Sequence, residues 1–111
     1  MTNVSLIEIK QMRQSAGRAV EMLRVLANED RLLLLCQLAQ AEKCVYELEA
    51  ELDIQQPTLS QQLGVLRKQG LVTTRREGKF IFYRVKDKVT LAILNSLYDL
   101  YCGKSKKKRE C

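Results

Sequence analysis

Histidine is missing from all 111 residues of this chain. Its absence removes Ser-His-Asp and Cys-His catalysis and every metal site that needs an imidazole. Only one proline and five glycines occur, which disfavours a multi-turn β-sandwich and points to a helix-rich fold. No apolar run approaches a membrane span, and no charged stretch leading into an apolar one opens the chain, so a cytoplasmic location is expected. In that compartment Cys36, Cys44, Cys102 and Cys111 are expected as thiols, not as a disulfide framework. Core packing, metal ligation and redox sensing all stay open to them. Cys-x-x-Cys and βαβ patterns are both lacking, which makes a thiol oxidoreductase a remote alternative. No enzyme activity, cofactor or resident metal is expected.

What is present describes one globular domain. The hydrophobic fraction is 46% and the charged fraction 29%, enough for a modest core without staples. Nineteen lysines and arginines against thirteen acidic residues leave a formal charge of +6. Such an excess favours a polyanionic partner, most often nucleic acid, without requiring one.

The stretch 45–68 reads as two short helices around a tight turn. Val45, Leu48 and Leu52 face inward on the first, and Asp53 to Gln56 make the turn. The second helix spans 57–68, with Pro57 suited to its first position. Leu59, Gln62, Leu63 and Leu66 form an inward stripe. Thr58, Gln61, Gly64, Val65 and Lys68 fall on the opposite side, with Ser60 at its edge. Small residues, amides and hydroxyls on an outer face let a helix approach DNA base edges and hydrogen-bond to them. We therefore read 57–68 as a recognition helix, stopped by Gly70 in a left-handed cap.

The rest of the chain frames that motif. Residues 1–15 read as a helical N-terminal extension. A winged helix-turn-helix and dimerisation domain is expected over 16–102, and a disordered basic tail over 103–111. Apolar residues from Ala16 to Ala27 follow helical spacing. Asn28 can cap the following helix, 31–41, with Glu29 and Asp30 at its positive end. That helix is apolar on nearly every side, which implies burial at the domain centre or in a subunit interface. Residues 71–85 form two strand-like runs around Glu77-Gly78. This hairpin would carry Arg75, Arg76 and Lys79 near its tip, either as a wing reaching DNA or as a solvated loop. The last helix, 88–102, has Leu91, Leu94, Tyr98, Tyr101 and Cys102 on one face and Ile93, Leu97 and Leu100 on another. Two apolar faces on a terminal helix imply a second subunit and a two-fold homodimer.

In order, the segments Leu26-Ala27-Asn28-Glu29-Asp30-Arg31-Leu32, Gln56-Pro57-Thr58-Leu59-Ser60-Gln61-Gln62-Leu63 and Leu66-Arg67-Lys68-Gln69-Gly70-Leu71-Val72 resemble the ArsR family of bacterial repressors. The resemblance covers roughly 16–102. It implies a mainly α, winged helix-turn-helix fold and a homodimer that binds operator DNA until an inducer acts. Soft-metal sensors of the family carry a Cys-Val-Cys pair, whereas this chain has Cys44-Val45-Tyr46. The stretch from Asn28 through Cys36 to Leu38, with Leu97-Tyr98-Asp99-Leu100-Tyr101-Cys102, is similar to the BigR/SqrR/YgaV subgroup. The run 56–67 is most like the BigR branch. That likeness implies that Cys36 and Cys102 react with persulfides or polysulfides, lifting repression of sulfide-detoxifying genes. An arsenite or other thiophilic-metal sensor using Cys36, Cys44 and Cys102 is the alternative. A winged helix that binds only proteins is a further one. The expected DNA contacts are Gln56, Thr58, Ser60 and Gln61 at bases or adjacent phosphates, with Arg67, Arg75, Arg76 and Lys79 on the backbone. Cys44 and Cys111 are expected to play no sensing role.

Overall fold

The computed structural model describes residues 6–103; residues 1–5 and the expected basic tail beyond Gly103, with Cys111, lie outside the described residues. Five α-helices and a small antiparallel sheet follow one another in the order helix, helix, strand, helix, helix, hairpin, helix. The expected winged helix-turn-helix is what forms.

The first helix, α1 (Leu6–Leu26), runs without a break across 15–16. No proline interrupts it; Ser15 and Gly17 are both accommodated in its interior, Gly17 with open space around it. Its C-terminal end enters the core through Val25 and Leu26, with Met22 packed against it, while Leu6, Ile9, Met12, Val20 and Leu23 stay exposed. The second helix, α2 (Glu29–Gln40), starts two residues earlier than expected because the Asn28 side chain caps it, accepting from the Arg31 backbone N–H at 3.0 Å. Its apolar character has the expected consequence: Leu34, Leu35 and Leu38 are buried, and α2 packs against every other helix.

A two-residue strand, β1 (Lys43–Cys44), replaces the expected break. It pairs with β3 (Phe80–Val85), which in turn pairs with β2 (Val72–Glu77), giving the order β1-β3-β2. Two residues are too few for the alternation that identifies a strand in sequence. Cys44 then precedes α3 (Val45–Leu52), its backbone N–H donating to Glu47 Oε1 at 3.0 Å. The helix closes with Asp53 in the left-handed region, φ 57°, which an aspartate tolerates better than most residues.

The recognition helix, α4, spans Thr58–Lys68, so Pro57 lies just outside it as the capping residue instead of opening it. Leu59, Leu63 and Leu66 are fully or almost fully buried, each contributing roughly 1.5–3 kcal/mol by burial. At its C-terminus Gly70 adopts φ 78°. The Gly70 N–H donates to Arg67 O and the Leu71 N–H to Leu66 O, both at 3.0 Å. This is the paired hydrogen-bond ending that a left-handed glycine permits.

Strands β2 and β3 are joined by Gly78 and Lys79, with Glu77 paired to Phe80. Gly78 at φ 65° supplies the positive φ that such two-residue hairpins need. The final helix, α5 (Lys88–Tyr98), is capped by Asp87, whose Oδ2 accepts from the Thr90 N–H and hydroxyl at 3.2 and 3.1 Å. After Tyr98 the backbone widens into a π-helical turn, Asp99–Gly103. This turn changes the expected facing. Wider winding breaks the three-and-four spacing, so Tyr101 is exposed instead of sharing the buried face of Leu94.

Candidate nucleic-acid interface and thiol cleft

With Leu59, Leu63 and Leu66 turned inward, the other side of α4 is committed to solvent. Ser60, Gln61, Gly64, Arg67 and Lys68 are exposed and Thr58 is half-buried. A Cβ at Gly64 would meet nothing within 4 Å, so this face offers a shallow surface flanked by amide and hydroxyl groups. Gln56 is exposed, but its Oε1 accepts from the Ser60 backbone N–H at 3.1 Å and thereby helps cap α4. Gln62 is held differently: its Oε1 accepts from Arg31 Nη1 at 2.9 Å.

The wing separates its cations by strand alternation. Arg76 pairs with Ile81 next to the turn, and both Arg76 and Lys79 are exposed. Arg75 is not at the tip. It faces the other side of the hairpin, opposite Phe82, and its guanidinium lies 4.8 Å from that ring. Its Nε donates to Glu42 Oε2 at 2.8 Å and its Nη1 to Glu77 Oε1 at 2.9 Å. The Arg75 hydrogen bond holds the Glu42 carboxyl below the usual carboxylate range, and the same two carboxylates push the Arg75 pKa up. The side chain expected on a phosphate is engaged within the chain, tying the hairpin to the segment before β1.

The cysteines occupy three different settings. Cys36 is a half-buried free thiol on α2, and burial pushes its pKa up. It lines a cleft of about 320 Å³ with Leu33 and Gln37 of α2, Leu52 of α3, and Leu94 and Tyr98 of α5. The rim of that cleft is tied to the helix-turn-helix, because Gln37 Nε2 donates to Glu51 Oε1 of α3 at 2.6 Å. Glu51 also pairs with Lys43 of β1 at 3.0 Å. Cys44 is a buried free thiol. Cys102 lies half-buried in the π-helical turn that continues α5. It is disulfide-bonded. Among the described residues no group of three or more Cys, Asp or Glu side chains is placed to hold a metal ion.

Sequence reasoning found α4 and the hairpin but missed Arg31, Glu51 and the cleft. Arg31 lies within the segment 26–32, yet its side-chain partner Gln62 lies on another helix. The cleft arises from three helices at once, which no local pattern announces.

A helix with a polar outer face, a preceding helix across a tight turn and a cationic hairpin directly after it define a DNA-binding transcriptional regulator of the winged-helix class. Comparison with known proteins narrows the class. Residues 28–74 match the family model described as "Bacterial regulatory protein, arsR family". The chain is 50% identical over 97 residues to the biofilm growth-associated repressor of Agrobacterium fabrum, covering 87% of this chain and 83% of that protein. The crystal structure of the repressor BigR from Xylella fastidiosa superimposes with a TM-score of 0.80 at 42% identity, covering 89% of this chain and 98% of that one. That of HlyU from Vibrio vulnificus gives a TM-score of 0.82 at 43% identity, covering 86% and 99%. The chain belongs to the ArsR family and is a transcriptional repressor, not an enzyme.

Proposed function

We propose that this protein is a dithiol-switched, cytoplasmic repressor that binds operator DNA as a homodimer and lets go when Cys36 and Cys102 react with a persulfide or polysulfide. The observation that carries the reading is the position of Cys36 on the wall of an open cleft between α2 and α5, with Cys102 on the turn that directly continues α5. A small sulfur donor can enter there, and a link between the two residues would join the central helix to the terminal one. The exposed apolar residues of α1 and the outer faces of α5 supply a surface for the second subunit. Gln61, Ser60, Thr58 and Gln56 face the bases or nearby phosphates, and Arg67, Arg76 and Lys79 face the backbone. Arg75 holds the wing in place.

The chemistry balances without a further reagent. Starting from reduced protein, the Cys36 thiolate attacks the outer sulfur of a persulfide, RSSH, forming Cys36–S–SH and releasing RSH. The Cys102 thiolate then attacks Cys36 Sγ, expelling hydrosulfide and closing a disulfide. Two thiols are oxidised and the persulfide is reduced to a thiol and hydrogen sulfide. A hundredfold loss of operator affinity needs about 2.7 kcal/mol of differential stability between the two states, within reach of a covalent link. Operator binding is measured before and after glutathione persulfide, for wild type, Cys36→Ser and Cys102→Ser, with arsenite as a parallel titrant. Wild type should release DNA and both variants should retain it. Release by the variants, or release by arsenite alone, contradicts the proposal.

A further inference from the structure

A helix leaves its last four carbonyls without partners inside the helix. In α1, Leu23 O accepts from the Ala27 N–H and Leu26 O from the Asn28 N–H, both at 2.8 Å. The other two are taken by one side chain. Arg31 Nε donates to Val25 O at 2.6 Å and Nη2 to Arg24 O at 3.2 Å, which also sets a cation at the negative end of the α1 dipole. Its remaining arm, Nη1, donates to Gln62 Oε1 on α4 at 2.9 Å. Meanwhile the Arg31 backbone N–H is held by Asn28, the residue that starts α2. A planar guanidinium fixes its donors in one fork, so the end of α1, the start of α2 and the middle of α4 share one rigid joint.

This joint fixes something the core cannot. Leu59, Leu63 and Leu66 set how close α4 lies to the centre, but an apolar stripe tolerates rotation about the helix axis. A hydrogen bond is directional and opposes that rotation. Gln62 is the immediate neighbour of Gln61, whose side chain is exposed on the DNA-facing side. We infer that Arg31 is a positioning residue for operator reading: through Gln62 it sets the rotation of the recognition helix relative to α1. The inference rests on α4 reading DNA and not on the thiol chemistry.

The test uses the full-length, reduced protein and an operator duplex that wild type selects from random DNA. Gln62→Met keeps side-chain length and removes the whole amide, the acceptor for Arg31 included, and as the milder change it keeps the test open even if Arg31→Met fails to fold. The loss of one charge-assisted hydrogen bond should weaken operator binding by roughly tenfold. Affinity for a scrambled duplex and the salt slope should stay within about twofold, since no phosphate contact is removed. Arg31→Lys should lose operator affinity as well, because an ammonium does not reproduce the fork. Adding Gln62→Met to Arg31→Lys should then cost nothing more, as both changes break the same bond. Wild-type operator affinity in Gln62→Met overturns the inference. Equal losses on operator and scrambled DNA overturn it too, as does a reduced salt slope, which would make these residues DNA contacts themselves. If wild type selects no duplex, the DNA reading falls along with it.

Discussion

Cys36 is half-buried on the cleft wall, and burial holds its thiol above the ordinary pKa. The thiolate is the nucleophile, so at neutral pH Cys36 should react more slowly than free cysteine. The rate should still be climbing with pH beyond the ordinary thiol value. Stopped-flow alkylation with a small neutral reagent, followed by peptide mapping, measures this; a rate that levels off below that value contradicts the assigned environment. On the DNA face, Gln61→Ala should relax sequence preference. Arg76→Ala should weaken binding to all sequences and lower the salt slope by about one. Titrations on operator and scrambled duplexes at several salt concentrations separate the two effects, and identical behaviour would mean the residues are misassigned. Gly70, at φ 78°, is a conformational requirement of the recognition helix's end. Gly70→Ala should cost about 1 kcal/mol or more, read from denaturant midpoints.

Among the elements, the hairpin shows how far local pattern reaches and where it stops. Its strands and its Glu77-Gly78 corner were legible because β-branched and aromatic runs around a glycine have few other readings. The ion pair of Arg75 with Glu42 was not, since the two lie 33 positions apart and Coulombic partners leave no periodic trace. If Arg75 anchors the wing, Glu42→Gln should speed amide exchange in β2 and β3 while leaving the salt slope of DNA binding unchanged. A changed slope with unchanged exchange would return Arg75 to the phosphate backbone. The helices divide in the same way. Leu59, Leu63 and Leu66 announced α4 by their 3.6-residue period, and Asn28 announced the start of α2. The widening after Tyr98 was illegible because Leu97, Leu100 and Tyr101 continue a plausible apolar pattern, and only the backbone reveals that the spacing has changed. The two residues of β1 carry no pattern of their own and become a strand only through β3. Arg31 belongs with these: its position is local, but its meaning depends on Gln62.

At the scale of the whole molecule, α2 is the common neighbour. It carries Cys36 on the cleft side, Arg31 at its start and Gln37 toward α3, so a change at the cleft is delivered to an element that already touches the helix-turn-helix. The cleft that holds Cys36 and the outer face of α4 thus lie on two sides of one packed layer, so the proposed switch needs no separate relay domain. A crosslink between Cys36 and Cys102 would constrain α2 against the end of α5, altering the angle at which two recognition helices meet a two-fold operator. The most direct measurement takes reduced protein, treats it with glutathione persulfide, isolates the crosslinked species and determines its linkage by peptide mass and its operator affinity on the same sample. The expected result is a Cys36–Cys102 bridge of two or more sulfurs and operator binding weaker by about a hundredfold. A bridge between other cysteines, or a Cys36–Cys102 bridge in protein that still holds its operator as tightly as before, would contradict it.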